Sequence, residues 1–244
     1  MDDSGLKLCA YFAGKPNAMH YCGTDSAINS ISDCIVSGNC SSLREEYSHF
    51  KALYAYLKLY GEKFGLDYFD KKIIEAYWIG NELLEQFDRN DFFTLLDNLE
   101  SNGAPKLFIY EQREKFEKVN VRFIPHHAFN VTFIGVGNVT GSVEYNIENI
   151  NNCLIRYGNI SNIDDDKVTV NTYKYQIENT ILIRKNCEEE LGLNKTFFPY
   201  VKIGDSVAFH WKDLCNILND DEKSRLDEYE TTIMNDLNEN YFKI

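Results

Sequence analysis

A cysteine and a histidine that lie far apart in the sequence could act together. Cys153 lies in NNCLIRYGNI, an otherwise apolar, strand-like run, and His210 lies in VKIGDSVAFHW. In an extended strand neighbouring side chains point to opposite faces, so His210 is predicted to face away from Phe209. If the strands that carry them are neighbours, the thiol and the imidazole could converge at one end of a barrel. The alternative is that Cys153 is a small buried hydrophobe and His210 a hydrogen-bonded strand residue.

Four other residues are secondary candidates for a site. Cys22 lies in HYCG, Glu75 begins EAYWIGN, and His126 and His127 begin HHAFNV. Glu75 is predicted to be a buried acid that pairs with a histidine. The two adjacent histidines cannot both enter one site if their segment is extended, so one of them could join Cys22 or His210 as a metal ligand. Capping and hydrogen-bonding roles at a domain junction are the alternative.

Familiar catalytic motifs are absent from the sequence. There is no G-x-S-x-G, no H-E-x-x-H and no glycine-rich phosphate loop followed by a helix. A nucleophilic pair of Cys22 or Cys153 with His127 or His210 can be drawn, but no third group is evident that would orient the base. A catalytic role therefore has less support from the sequence than a binding role.

Composition narrows the class of protein. The chain has 244 residues, 44% hydrophobic residues and a net charge of −13, which argues for a folded protein and against a binder of nucleic acid. No apolar run approaches the roughly 20 residues that span a bilayer, and the acidic start lacks the features of a secretory signal. We therefore expect a cytoplasmic protein that has no membrane partner and whose seven cysteines are reduced thiols.

The character of the sequence changes near residue 118. Before it, apolar residues recur at steps of three and four, as in SSLREEYSHFKALYAYLKLYG, which predicts helices. After it, six runs rich in β-branched and aromatic residues predict strands: VNVRFI, AFNVTFIGVG, NCLIRYGNISNI, KVTVNTY, NTILIRK and DSVAFHW. DDDK looks like a hairpin turn, and a last helix is predicted to begin at Asn219. The predicted fold is α+β, with a helical N-terminal domain (residues 1–118) followed by a small antiparallel OB-like β-barrel with a C-terminal helix (residues 119–244).

The β-rich half resembles the small hydrogenase maturation chaperones of the HypC/HupF type. That family has C-L-x-x-P-G, a later G-D-x-V-x-x-H and an acidic terminal helix, and the resemblance covers about residues 151–235. The matching residues are Cys153, Leu154 and Gly158 in the first element and Gly204, Asp205, Val207 and His210 in the second. Tyr157 stands where the family has proline, and Cys153 is internal, whereas the cysteine of the family becomes N-terminal.

The resemblance implies a non-catalytic accessory protein in nickel–iron hydrogenase maturation or related metal-cofactor assembly. Cys153 would supply the thiolate and His210 the imidazole that contact an iron fragment carrying cyanide and carbon monoxide. Iron would be bound transiently, and the partner would be the hydrogenase large subunit or a maturation factor.

HYCG, EAYWIGN and HHAFNV also look like signatures of an uncharacterised prokaryotic family that adds a helical N-terminal domain to this barrel. Two alternatives stay open: a metal- or cysteine-dependent enzyme with its site at the domain junction, and a binding module that holds no metal.

Overall fold

The fold is α+β, with a helical first part that extends to Cys153. The structure is a computed structural model and describes residues 3–241. The helices of the first part are α1 (Ser4–Ala18), α2 (Asp25–Ser37), α3 (Leu43–Ser48), α4 (Lys51–Phe64), α5 (Lys71–Trp78), α6 (Arg89–Ser101), α7 (Lys106–Lys118), α8 (His127–Phe129) and α9 (Ile147–Cys153). A 3₁₀-helix (Glu82–Gln86) follows α5, and a π-helical segment (Asn130–Gly135) continues α8.

Local signals explain where several of these helices begin and end. The Asp88 carboxylate accepts from backbone N–H groups of the first turn of α6, and the Asp91 carboxylate accepts from the backbone N–H of Asp88, which completes a capping box. Helices α2 and α4 end at Gly38 and Gly65, both in the left-handed conformation that glycine adopts without a steric penalty.

The sheet has five strands and closes on itself to form a ring of strands. They are β1 (Arg156–Asp164), β2 (Lys167–Glu178), β3 (Ile181–Gly192), β4 (Ser206–His210) and β5 (Asp213–Ile217), in the order β1-β2-β3-β5-β4 with β4 back against β1. The pairs are antiparallel except for β3 and β5, which meet in parallel at Gly192 and Asp213, so the sheet is mixed rather than purely antiparallel. The hairpin predicted at DDDK is confirmed, since β1 ends at Asp164 and β2 begins at Lys167.

Two of the six predicted strands are not strands. VNVRFI is not assigned to any helix or strand, and AFNVTFIGVG forms most of α8 and the π-helical segment. Both runs are buried among the helices, with Phe123, Phe129 and Val131 almost inaccessible. Burial of this kind produces a continuous apolar run, which does not distinguish a strand from a helix by its periodicity. Strand β5, which was not predicted from the sequence, completes the ring.

The last helix joins the two parts of the chain. It is α10 (Asp220–Asn240), and a capping box between Asn219 and Glu222 confirms its predicted start. Its Glu230 carboxylate is fully buried and accepts hydrogen bonds from Tyr173 at 3.0 Å and Tyr175 at 2.8 Å, on β2 of the ring. Residues from α1 to α10 share one apolar core, so the division at residue 118 stays a prediction.

Two general expectations meet different outcomes. Within residues 3–241 no helix is both long and apolar enough to cross a membrane. The expectation that all seven cysteines are thiols is wrong for Cys34 and Cys40, which form a disulfide across the end of α2. The turn at Gly38 folds the chain back and brings the two sulfur atoms together, although only six positions separate them.

Candidate metal centre

Three side chains from different elements converge between the helical part and the ring. His127, Cys153 and His210 each offer one ligand atom, and these atoms all lie within 4.8 Å of one another. His127 is the first residue of α8, Cys153 the last of α9 and His210 the last of β4. The structure therefore brings together the two residues selected from the sequence and one of the secondary candidates.

Strand pairing accounts for the meeting of Cys153 and His210. The chain leaves α9 at Cys153 and enters β1 at Arg156, which lies opposite Phe209 in the ladder between β1 and β4. Beyond that ladder the backbone N–H of Trp211 donates to the carbonyl of Asn152 at 2.7 Å. Strands β1 and β4 are neighbours, as the convergence of Cys153 and His210 required, but Cys153 ends a helix rather than beginning a strand.

His210 is oriented as metal-bound histidines usually are. Its Nδ1–H donates to the carbonyl of Phe12 on α1 at 2.7 Å, which leaves the lone pair on Nε2. Nε2 is buried and has no hydrogen-bond partner in the described part of the chain. Burial lowers the pKa of His210 to about 4, so the imidazole is neutral at physiological pH.

His127 is held on both sides of its ring. Nε2 lies 2.9 Å from the carbonyl of Cys153, and because a carbonyl only accepts, Nε2 carries the proton and Nδ1 accepts from the Tyr77 hydroxyl at 3.0 Å. Burial, followed by the nearby His210, lowers the pKa of His127 well below its usual value. Nε2 is also 3.8 Å from the Cys153 sulfur, so a proton shift to Nδ1 would free a lone pair beside the thiol. After that shift the Tyr77 hydroxyl could accept a hydrogen bond from Nδ1–H of His127.

Cys153 is the partly accessible member of the three. Burial raises the pKa of its thiol to about 12, so the sulfur is protonated at neutral pH in the absence of a metal. A thiol of this kind is a poor nucleophile, which gives no support to a simple cysteine–histidine hydrolase.

A cavity of about 90 Å³ adjoins the three side chains. Cys22, Tyr21, Val136, Val139 and Trp211 are among the residues that line it, so its surface is mostly apolar. The Trp78 ring covers the inner side, with its centroid 4.5 Å from that of His127 and 5.7 Å from that of His210. The two imidazoles therefore lie in a site with little access for bulk water.

The remaining candidates have other positions. Cys22 lines the cavity but does not belong to the group of three. His126 caps α8, because its Nδ1 accepts from the N–H of Ala128 at 3.1 Å. His126 has extended backbone angles and the next residue begins the helix, so adjacent histidines point to different places.

The prediction that Glu75 pairs with a histidine is wrong. Its carboxylate forms an ion pair with Arg225 at 2.6 Å. Arg225 lies on α10, so this ion pair links α5 to the last helix. Glu75 is thus part of the contact between α5 and α10 and not of the metal centre.

Tyr77 and Trp211 contact the centre without a sequence signal for that role. The sequence places Tyr77 on the inner face of its helix, which the structure confirms, but does not indicate its contact with His127. Nothing in the sequence points to Trp211 beyond its position next to His210. The contact between Tyr77 and His127, and the hydrogen bond from the Trp211 backbone to Asn152, join residues that are far apart in the chain, and only the packing of separate elements produces them.

The comparisons with known proteins give a family and no function. No curated protein and no solved structure gives a significant match to the chain. One family matches residues 1–243, almost the whole sequence, and its description is "Family of unknown function (DUF6390)". The match spans both the helical part and the ring, so the chain belongs to this family of unknown function.

Proposed function

We propose that this protein binds a transition-metal ion or a small metal fragment through Cys153, His210 and His127. We further propose that it acts as a non-catalytic accessory protein in nickel–iron hydrogenase maturation or a related assembly of a metal cofactor. The observation that carries the proposal is the convergence of three ligand atoms within 4.8 Å, from three separate elements.

The ligand set favours certain metals. One thiolate and two imidazoles suit iron, cobalt, nickel, copper or zinc rather than magnesium or calcium, which prefer oxygen ligands. For a tetrahedral ion with ordinary bond lengths, the expected sulfur-to-nitrogen separation is about 3.6 Å. The separation between Cys153 Sγ and His127 Nε2 is 3.8 Å, so this pair needs little movement. The hydrogen bond that His210 donates to Phe12 is the kind expected around a metal ligand. His127 would donate to Tyr77 in the same way once its proton had moved from Nε2 to Nδ1.

Three protein ligands suit a carrier better than a permanent structural site. Structural zinc sites are closed by four protein ligands, whereas three leave a position for another ligand. At this site that position would face the adjoining cavity, through which a fragment could enter or leave. The motif likeness of Cys153 and His210 to the HypC/HupF-type chaperones supports hydrogenase maturation as the pathway. In this proposal the five-stranded ring corresponds to the small OB-like barrel of those chaperones.

Metal titration under anaerobic conditions tests the binding. We expect one Co²⁺ or Fe²⁺ per chain, with a thiolate-to-metal charge-transfer band in the Co²⁺ form. The variants Cys153→Ser, His127→Gln and His210→Gln should lose the band or bind the metal more weakly by about one to two orders of magnitude or more. A loss of about that size is typical when a residue that hydrogen-bonds to a metal ligand is replaced, and removal of the ligand itself should cost at least as much. Matched controls are Cys187→Ser, a partly accessible thiol on β3, and His49→Gln, an exposed imidazole. Equal binding by the ligand variants and the controls would refute the site.

Partner capture tests the pathway separately. We expect the wild-type protein, isolated anaerobically from its native host, to copurify with a hydrogenase large subunit or an assembly factor. Infrared bands of iron-bound cyanide and carbon monoxide would support transfer of the fragment. Unimpaired hydrogenase maturation in a host that carries only the double variant Cys153→Ala/His210→Ala would refute this part, even if the isolated protein binds metal.

A metal-dependent enzyme is the second candidate, and the cavity is the observation that favours it. A space of about 90 Å³ beside a three-ligand site could hold a water molecule and a small substrate. The two candidates differ in the fate of the metal. An enzyme retains its ion in the presence of a partner and turns over a substrate, whereas a carrier releases the ion or fragment to the partner.

A further inference from the structure

The turn between β4 and β5 has an unusual sequence for its conformation. Only Trp211 and Lys212 separate the two strands, and both have positive φ, 51° and 61°. A two-residue hairpin turn of this shape is normally built from Asn-Gly or similar residues, because a bulky side chain is disfavoured in the left-handed region. Strained backbone of this kind persists where surrounding contacts hold it, and it is often found at functional sites.

Contacts with residues beside the candidate metal centre hold Trp211 in this conformation. Its backbone N–H donates to the carbonyl of Asn152, the residue before Cys153, at 2.7 Å. Its ring packs 4.5 Å, centroid to centroid, from that of Tyr21 and lines the cavity. The side chain is almost fully buried, with 5% of the residue exposed. The turn therefore positions a large indole directly beside the candidate metal ligands.

The indole N–H of Trp211 is a buried donor that has no hydrogen-bond acceptor among the described residues. Trp211 and Cys153 line the same cavity, and the backbone of Trp211 is hydrogen-bonded to the residue before Cys153. A neutral thiol is a weak acceptor, whereas a thiolate is a strong one, because hydrogen bonds to ionised groups are shorter and stronger. The donor is thus matched to the sulfur in its metal-bound state.

We propose that Trp211 is a positioning residue whose indole N–H donates to the Cys153 thiolate when that thiolate binds metal. The inference rests on the proposed metal site. A hydrogen bond to the sulfur withdraws electron density from the metal–sulfur bond, which shifts the charge-transfer energy and the reduction potential of a bound ion. In this view the strained turn is retained because an Asn-Gly turn would lack the donor.

Trp211→Phe is the direct test, because phenylalanine keeps an aromatic ring in the cavity but cannot donate. We expect about a tenfold weaker affinity for Co²⁺ and a shifted thiolate-to-cobalt band. Lys212→Gly is the matched control, since it relieves the other left-handed residue of the same turn and leaves the indole in place. It should keep the wild-type affinity and band energy.

The outcomes separate this inference from the proposed function. If the wild type shows no thiolate-to-cobalt band, the metal site and the role of Trp211 both fall. If the wild type and Trp211→Phe bind Co²⁺ with the same affinity and band energy, only the role of Trp211 falls.

A second measurement on the wild type covers the case in which Trp211→Phe does not fold. The sequence has two tryptophans, so labelling tryptophan with ¹⁵N gives two indole N–H signals, and Trp78→Phe identifies the one from Trp211. We expect the Trp211 signal to move downfield and to exchange more slowly with solvent when diamagnetic Zn²⁺ is added, as a hydrogen bond forms. An unchanged Trp211 signal in protein that has bound Zn²⁺ would overturn the inference.

Discussion

Replacement of Arg156 should reveal how the helix that carries Cys153 is attached to the ring. The Arg156 side chain is almost completely buried and donates to the carbonyls of Asn151 on α9, at 2.9 Å, and Tyr173 on β2, at 2.6 Å. It also forms a two-point ion pair with Glu189 on β3, at 2.7 and 3.1 Å, and lies over the ring of Phe209. The guanidinium group of Arg156 thus connects α9 with β2, β3 and β4.

The expected cost of Arg156→Met follows from these contacts. Methionine retains most of the packing but leaves two carbonyls without their donor and Glu189 without its cation. Removing one partner of a buried ion pair typically costs 3–5 kcal/mol. The Glu189 side chain is 19% exposed and can turn toward water, so we expect the lower end, about 3 kcal/mol. With a urea m-value of about 3 kcal/mol/M, the unfolding midpoint falls by about 1 M.

Urea unfolding followed by tryptophan fluorescence measures this change. The control is Lys167→Met, which removes an exposed ion pair between Lys167 on β2 and Glu190 on β3 and should leave the midpoint unchanged. Metal affinity should also fall in Arg156→Met, because α9 ends at Cys153. Equal midpoints for Arg156→Met and Lys167→Met would show that the buried cation does not hold α9 to the strands.

Three further predictions concern the loop beside the cavity, the buried histidines and the thiol. Gly137→Ala should lower the midpoint of thermal unfolding more than Gly141→Ala. Both glycines have positive φ, but of the two only Gly137 would bring a new Cβ against backbone, 2.0 Å from the Val143 carbonyl oxygen. Equal losses of stability would contradict a specific clash at Gly137. Burial lowers the pKa of His126 from 6.5 to about 3, so the neutral form is favoured on folding. Between pH 6.5 and 3 the imidazole of His126 binds a proton in the unfolded chain but not in the folded protein. The free energy of unfolding is therefore fully retained above pH 6.5 and declines as the pH falls toward 3, by up to about 1.4 kcal/mol per pH unit. His126→Asn keeps a capping acceptor and should lose stability less steeply in acid; an unchanged slope would exclude His126 as a contributor. Metal binding should release about one proton from Cys153 near pH 7.5, since burial raises the pKa of this thiol to about 12, and calorimetry in buffers of different ionisation enthalpy measures it; no release would mean that the thiolate is not the ligand.

Much of the fold follows from local sequence patterns. The terminal helix was predictable because Asn219 and Glu222 form a capping box within one turn. The hairpin at residues 164–167 was predictable because short polar residues separate two strand-like runs. The helix containing Tyr77 was predictable from its apolar periodicity. AFNVTFIGVG was not, since its helical state depends on neighbours that the local pattern does not contain.

The candidate metal site likewise combines residues that the sequence pointed to with a residue that only the tertiary structure identified. The sequence by itself determined that Cys153 and His210 are the residues to consider, because the motifs around them have a recognisable order and spacing. Only the tertiary structure decided that His127 rather than His126 completes the group, and that Glu75 and Cys22 lie outside it. The reason is geometric: hydrogen bonds within a turn or a cap are set by nearby residues, whereas a ligand cluster requires α8, α9 and β4 to pack at particular distances and angles, which no single segment specifies.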